Sequence, residues 1–112
     1  MKVRWKEKYI CESMKIADSF LSRLKGLMFL KEFVGFDGLL IKQCNSIHMF
    51  FMNFAIDAIF LNEELKVIKI YRGIRPWRMT RLLFGATQVL EIPAGNCPED
   101  LQKGDILELC TN

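Results

Sequence analysis

The segment CNSIHMFFMNFAIDAIFLN, residues 44–62, contains the side chains best suited to chemistry. His48 is the only histidine of the chain, and Asp57 is an acid with apolar residues on both sides. A histidine titrates near neutral pH and can act as a general base that a carboxylate orients. Both residues also have structural interpretations: His48 as a hydrogen-bonded core residue, Asp57 as an acceptor for backbone groups of a turn at residues 53–55.

Cys44 precedes His48 by four residues, which would bring the two side chains together on a helix. On a strand they would lie about 13 Å apart, at about 3.3 Å per residue. The charge-free context favours a strand over Ile47–Met52, so we expect no thiol nucleophile. The four cysteines are far apart and have no C-x-x-C spacing. With a single histidine they form no recognisable zinc pattern, and we expect neither a metal nor a cofactor.

The basic segment YRGIRPWRMTR, residues 71–81, is the second candidate. Residues 66–81 carry six basic and no acidic side chains, whereas residues 82–112 carry one basic and five acidic. Arginines recur every third residue around a tryptophan: Arg72, Arg75, Arg78, Arg81 and Trp77. Guanidinium groups bind carboxylates and phosphates, and the indole offers a stacking face. Alternatively, the segment is a solvated loop in which one arginine pairs with Asp57 or Glu91.

Composition and charge exclude several classes of protein. The chain has 112 residues, which favours one domain over residues 1–112, and its 51% hydrophobic content excludes intrinsic disorder. A net charge of +3 is small for a dedicated nucleic-acid binder, so we expect no such partner. The longest charge-free run, residues 43–56, is shorter than the roughly 20 residues of a membrane span, and no apolar signal core is present. We expect a cytoplasmic protein with reduced cysteines and no membrane partner.

Apolar periodicity predicts the elements that position these residues. Alternation over residues 1–9 indicates an edge strand, and Tyr9–Ala17 a weaker one. Asp18–Lys25 has the apolar stripe of a helix, with Asp18 or Ser19 as cap and Gly26 as terminator. The remaining strands are predicted at Leu39–Lys42, Ile47–Met52, Asp57–Leu61, Val67–Tyr71, Thr87–Ile92 and Ile106–Cys110, with one helical turn after Asn96. This pattern predicts a mainly β, compact antiparallel sandwich or barrel.

Several stretches together resemble the domain-of-unknown-function family numbered 192, a bacterial and archaeal group. They are LSRLKGLMF, GLLI, CNSIHMFFMNFAIDAIFLN, PWR, VLEIPAG and KGD, and the resemblance runs from about Ala17 to Glu108. It implies a compact, mainly β fold with a sandwich-like core, and no established activity. The positions that it marks are Gly26, Leu27, Met28, His48, Phe51, Met52, Ile56, Asp57, Glu91, Gly95, Gly104 and Asp105.

The leading interpretation is a non-enzymatic binding module with a concave patch for a small anionic ligand or an acidic segment of a partner. We expect its binding residues to be His48, Asp57, Arg72, Arg75, Trp77, Arg78 and Arg81. One alternative is a hydrolase-like or lyase-like enzyme with His48 as general base oriented by Asp57. The other is an assembly protein that uses an exposed methionine and phenylalanine surface.

Overall fold

Two β-sheets and one short helix make up the regular structure. A computed structural model describes residues 1–111, apart from the side chains of Phe20 and Leu24. The helix α1 is Phe20–Lys25. The strands are β1 Lys2–Trp5, β2 Lys8–Cys11, β3 Met14–Ala17, β4 Gly38–Lys42, β5 Ile56–Leu61, β6 Val67–Ile74, β7 Gln88–Pro93 and β8 Glu108–Cys110. The prediction of a mainly β chain with little helix is confirmed.

The small sheet has the strand order β2-β1-β8, and the large sheet has the order β3-β4-β7-β5-β6. Every pair is antiparallel except β3 with β4, which is parallel. Parallel neighbours need a crossover connection, and residues 18–37, which include α1, provide it. The predicted antiparallel pairing is found at every pair except this one.

The large sheet separates two hydrophobic clusters. The inter-sheet core, between the two sheets, receives Ile59 and Leu61 of β5 together with Val3 and Trp5 of β1. The outer core, on the opposite face, receives the alternate β5 residues Ile56, Ala58 and Phe60. The outer core is covered by non-strand segments, including Leu27, Ile47 and Ala86. Because β5 is buried on both faces, side-chain alternation along it decides which core each residue joins.

The helix has the predicted ends. Ser19 is the N-cap and exchanges side-chain hydrogen bonds with Ser22, and Gly26 ends the helix with a φ of 50°. The predicted apolar stripe is not continuous, because Leu21 is exposed while Leu27 is buried. Its members Phe20 and Leu24 have side chains outside the described part of the structure. Across the described residues, no helix has the length and apolar character that crossing a bilayer requires.

Two predicted elements are wrong. Residues 47–52 do not form a strand: only His48 makes an isolated bridge, to Met79, and a turn follows at residues 50–51. The helical turn after Asn96 is instead a run of tight turns, in which Leu101 N–H donates to the carbonyl of Pro98. The weaker strand predicted over Tyr9–Ala17 is divided between β2 and β3 by residues 12–13.

Gly38→Ala is expected to destabilise the protein by about 1–3 kcal/mol, because overpacking a dense core forces neighbours to move. A Cβ at Gly38 would lie 2.5 Å from the Cys11 Sγ atom and 3.3 Å from a methyl group of Ile92. The check is urea unfolding of Gly38→Ala, Cys11→Ala and the double variant. The double variant should lose less free energy of unfolding than the sum of the single changes. Strict additivity would contradict this packing.

Candidate functional site

Asp57 is buried, with 2% of its surface exposed. One carboxylate oxygen accepts a hydrogen bond from Gly73 N–H at 2.8 Å. The other accepts from Gly95 N–H at 2.9 Å and Cys97 N–H at 3.0 Å. The carboxylate is thus bonded to main chain, as the structural alternative anticipated. Its partners lie on β6 and in the turn after β7, however, and not at residues 53–55.

Arg72 binds the same segment after β7 that Asp57 binds. Its guanidinium group donates to the carbonyls of Cys97, Pro98 and Leu101 at 3.1, 2.9 and 3.3 Å. These bonds and those of Asp57 tie the segment after β7 to β6. Because the contacts satisfy main-chain groups of the protein itself, Arg72 and Asp57 hold this turn in place.

His48 lies on the other side of the large sheet. It is exposed, and its Nδ1 atom accepts a hydrogen bond from Phe50 N–H at 3.2 Å. It borders a cavity with residues of the outer core, whereas Asp57 alternates with the inter-sheet residues Ile59 and Leu61. The expected cleft shared by His48 and Asp57 does not form, and the general-base pair is wrong because the sheet separates its members.

The cavity beside His48 has a volume of about 70 Å³. Its polar lining comes from α1, from the segment after β4 and from β7, and the apolar lining belongs to the outer core. The polar residues are Arg23, Cys44, Ser46, His48 and Glu91. Short segments far apart in the sequence therefore build a pocket that no local motif indicates.

Glu91 is the buried acid of this cavity. Only 4% of its surface is exposed, and within the described part of the chain its carboxyl group has no hydrogen-bond partner. Loss of solvation on burial raises the pKa of Glu91 from 4.5 to about 8. The Gly26 backbone lies beside the carboxyl group, since a Cβ there would be in ordinary van der Waals contact with Glu91 Oε1 at 4.0 Å.

Sequence reasoning considered Glu91 only as an arginine partner or as a position marked by the family resemblance. The available signal was a lone acid inside the apolar strand VLEIP. Alternation places Glu91 on the same face as Val89, which belongs to the outer core. Its significance becomes visible only when Arg23 and Ser46 are brought to the same cavity.

Cys44 lines the cavity as a partly buried thiol. Its Sγ atom donates to the carbonyl of Ser46 at 3.0 Å, and burial raises the pKa of the thiol. A raised pKa lowers the thiolate fraction, which is the opposite of what a nucleophilic cysteine needs. All four cysteines are free. Within residues 1–111, no three His, Cys, Asp or Glu side chains are grouped so that they could hold a metal ion.

The arginine loop, residues 75–81, runs beside residues 47–49. Trp77 N–H donates to the carbonyl of Met49 at 2.8 Å, and Thr80 N–H donates to that of Ile47 at 2.9 Å. Arg75, Arg78 and Arg81 are exposed. In the described structure their side chains have neither an ion pair nor a hydrogen bond, so the predicted pairing with Asp57 or Glu91 does not form. The arginine loop therefore lies near His48, on the outer-core side of the large sheet.

An aromatic row includes Trp77 of this loop. It consists of Phe29, Phe51, Trp77 and Phe50, whose successive ring centroids are 5.2, 5.0 and 5.9 Å apart. Phe29, Phe51 and Trp77 are 65%, 48% and 59% exposed. Each of these three also has a left-handed backbone, with φ of 69°, 62° and 68°. Bulky side chains rarely adopt this conformation. Sequence reasoning named Trp77 as a binding residue and Phe51 as a position marked by the family resemblance, but it did not single out Phe29.

Comparison with known proteins identifies similar chains. The family model of DUF192, described as Uncharacterized ACR, matches residues 2–109. A UPF0127 protein of Thermococcus sibiricus is 40% identical over 87 residues, which are 73% of this chain and 55% of that protein. A UPF0127 protein of Pyrococcus horikoshii is 36% identical over 85 residues, 73% of each chain. The chain thus spans little more than half the length of the Thermococcus sibiricus relative.

Solved structures share the fold. A crystal structure of a protein of unknown function from Novosphingobium aromaticivorans has a TM-score of 0.73 at 25% identity, covering 86% of this chain and 74% of that one. A crystal structure of a putative transcription regulator from Sinorhizobium meliloti has a TM-score of 0.74 at 21% identity, covering 96% and 91%. The second likeness concerns the fold alone.

Asp57→Asn is expected to lower the free energy of unfolding by about 2–4 kcal/mol, because the amide nitrogen that replaces one carboxylate oxygen cannot accept a hydrogen bond and leaves at least one of the three backbone N–H groups without its acceptor. Asp105→Asn is the matched control, since one exposed oxygen there accepts a single bond from Gln102 N–H. Its cost should stay below about 1 kcal/mol. Urea unfolding measures both changes, and equal small losses would contradict a structural role for Asp57.

The stability of the protein is expected to fall relative to that of Glu91→Gln as the pH rises from about 4.5 to about 8. In this range the folded state retains the Glu91 proton and the unfolded state has lost it, so raising the pH favours unfolding. The difference should grow by up to about 1.4 kcal/mol per pH unit. Urea unfolding of both proteins at several pH values tests this, and parallel pH profiles would refute it.

Proposed function

Since the chain belongs to the DUF192 family, whose description states no activity, we propose that it is a non-enzymatic binding module for an acidic segment of a partner protein. The segment binds across the aromatic row and the arginine loop, and it carries apolar side chains between its acids. The observation that carries the proposal is that Trp77 of the exposed aromatic row lies on the same loop as three exposed arginines, which have no ion-pair partners in the described structure.

The backbone of the aromatic row supports this proposal. A non-glycine residue in the left-handed region costs of the order of 1 kcal/mol, and such residues tend to cluster at functional sites. Phe29, Phe51 and Trp77 share this conformation. The ring of Phe51 lies between those of Phe29 and Trp77 and is close to both. The strained backbone of these residues therefore lowers the stability of the fold. Because the rings are exposed, hydrophobic burial offsets little of this loss.

Charge complementarity defines the partner. Arg75 and Arg78 flank Trp77, and no acidic side chain lies between residues 66 and 81. Guanidinium groups favour carboxylates in bidentate geometry, while the rings and the exposed Met79 and Phe84 suit apolar side chains. The exposed Met79 side chain offers no stacking face, which favours a peptide over single-stranded nucleic acid, since the latter binds mainly by stacking.

Reversing both charges with Arg75→Glu and Arg78→Glu is expected to weaken binding of a fluorescein-labelled peptide of alternating glutamate and leucine by at least tenfold. Fluorescence anisotropy at low salt measures the affinity. Lys8→Glu with Lys103→Glu is the control, because it changes the net charge equally at exposed positions outside this surface. Unchanged binding in the arginine variant would refute the proposal, as would preferential binding of a short oligonucleotide.

Trp77→Gly separates binding from stability. Glycine accepts a φ of 68° without strain, so the relief offsets the loss of the ring contact with Phe51. The free energy of unfolding should change by less than about 1 kcal/mol, whereas peptide affinity should fall at least tenfold. A variant that keeps full affinity would show that the indole takes no part in binding.

A further inference from the structure

The cavity beside Glu91 has the features of a built site for a ligand. A carboxyl group that is 4% exposed faces the cavity and has no hydrogen-bond partner among the described residues. Among the described residues, the only fully enclosed side-chain polar atom without a hydrogen-bond partner is Arg4 Nε, so the Glu91 oxygens are open to the cavity. A bound group with a matching polar atom can therefore reach them and supply the partner that the described residues do not.

We propose that this cavity binds the carboxylate group of a small organic acid or of a peptide, held between the Glu91 carboxyl group and the Arg23 guanidinium. Arg23 lines the cavity from α1 and uses one guanidinium nitrogen to bind the carbonyl of Asp18 at 2.8 Å. The Arg23 charge has no ion-pair partner in the described structure. An anion with oxygen acceptors satisfies both groups at once.

The lining argues against a cation. No group of three His, Cys, Asp or Glu side chains is close enough within residues 1–111 to hold a metal ion, and Arg23 adds positive charge. At neutral pH the buried Glu91 side chain carries a proton, since its pKa is about 8. A neutral carboxylic acid donates a strong hydrogen bond to a carboxylate oxygen.

The cavity size sets how much of the ligand enters. Its volume is about 70 Å³, which suits a small polar head group. His48 lines the same cavity and is exposed, so the rest of the ligand extends toward solvent beside the imidazole. The site therefore recognises a terminal group and not a whole large molecule.

This site uses different residues from the arginine loop and the aromatic row, so it stands independently of the proposed function. None of Arg75, Trp77, Arg78 or Arg81 lines the cavity. Loss of peptide binding in the Arg75 and Arg78 variant would leave the cavity intact. Conversely, a change at Glu91 leaves the exposed surface unaltered, so the two proposals fail separately.

Propionate is the probe, and its binding is followed by the amide resonances of Gly26, Ser46 and His48 in two-dimensional NMR at pH 6.5. We expect saturable shifts at these residues in the native protein. Propylamine and propanol, which have the same chain with a different head group, should cause none. The absence of saturable shifts with propionate, or stronger binding of propylamine, would overturn the proposal.

Variants at the two polar contacts sharpen the test. Glu91→Gln keeps a hydrogen-bond donor and the side-chain shape, so it should bind propionate about as well as the native protein. Glu91→Met and Arg23→Met each remove one contact and should weaken binding at least tenfold, while circular dichroism confirms folding. If Glu91→Gln abolishes binding, the proposed donor role of Glu91 is wrong.

The pH supplies a second readout. Raising the pH from 6.5 to 9 should weaken propionate binding to the native protein but not to Glu91→Gln, because only the native carboxyl group ionises and repels the ligand. The other charged or titratable groups that line the cavity, Arg23, Cys44 and His48, are the same in both proteins. Identical pH profiles for the two proteins would refute the role of Glu91.

A final comparison distinguishes the two sources of the carboxylate. A short glutamate-containing peptide that competes with propionate at Gly26 and Ser46, and that binds more tightly, identifies a protein partner as the source. A peptide that leaves the propionate shifts unchanged identifies a free organic acid. Both outcomes support the site, whereas displacement of propionate by chloride alone at equal ionic strength would overturn it.

Discussion

Two buried acids on paired strands determine how this molecule is organised. Asp57 of β5 lies opposite Ile92, and Glu91 of β7 lies opposite Ala58, so the two acids are one register step apart. The pleat directs them to opposite faces of the large sheet. Asp57 is bonded to three backbone N–H groups, while Glu91 has no partner in the described structure. Asp57 thus stabilises the fold, whereas Glu91 places a carboxyl group in the lining of a cavity.

Asp57 also determines where the proposed binding surface begins. Asp57 binds Gly73 N–H, and the neighbouring Arg72 binds three carbonyls of the turn after β7. These contacts fix the end of β6, and the arginine loop starts directly after it at Arg75. The loop then runs along residues 47–49 on the outer side. Anchoring on one face of the sheet therefore positions exposed arginines on the other.

His48 connects the two candidate binding regions. It lines the Glu91 cavity, and its ring lies 5.0 Å from that of Phe50, the last member of the aromatic row. A partner segment on the row would therefore pass beside the cavity mouth. The imidazole forms part of a continuous surface that combines a polar pocket, exposed rings and positive charge. This role differs from general-base catalysis, for which Asp57 is on the wrong face.

The sequence alone determined the mainly β class, most strand positions, a helix start at Asp18 or Ser19 and the resemblance to the family. These follow from local periodicity, capping chemistry and motifs, which act over a few residues. Only the tertiary structure decided which polar groups meet. Asp57 finds its partners 16, 38 and 40 residues away, and the Glu91 cavity joins three separate segments. Alternation tells which residues share a face, but the packing of distant segments decides what covers that face.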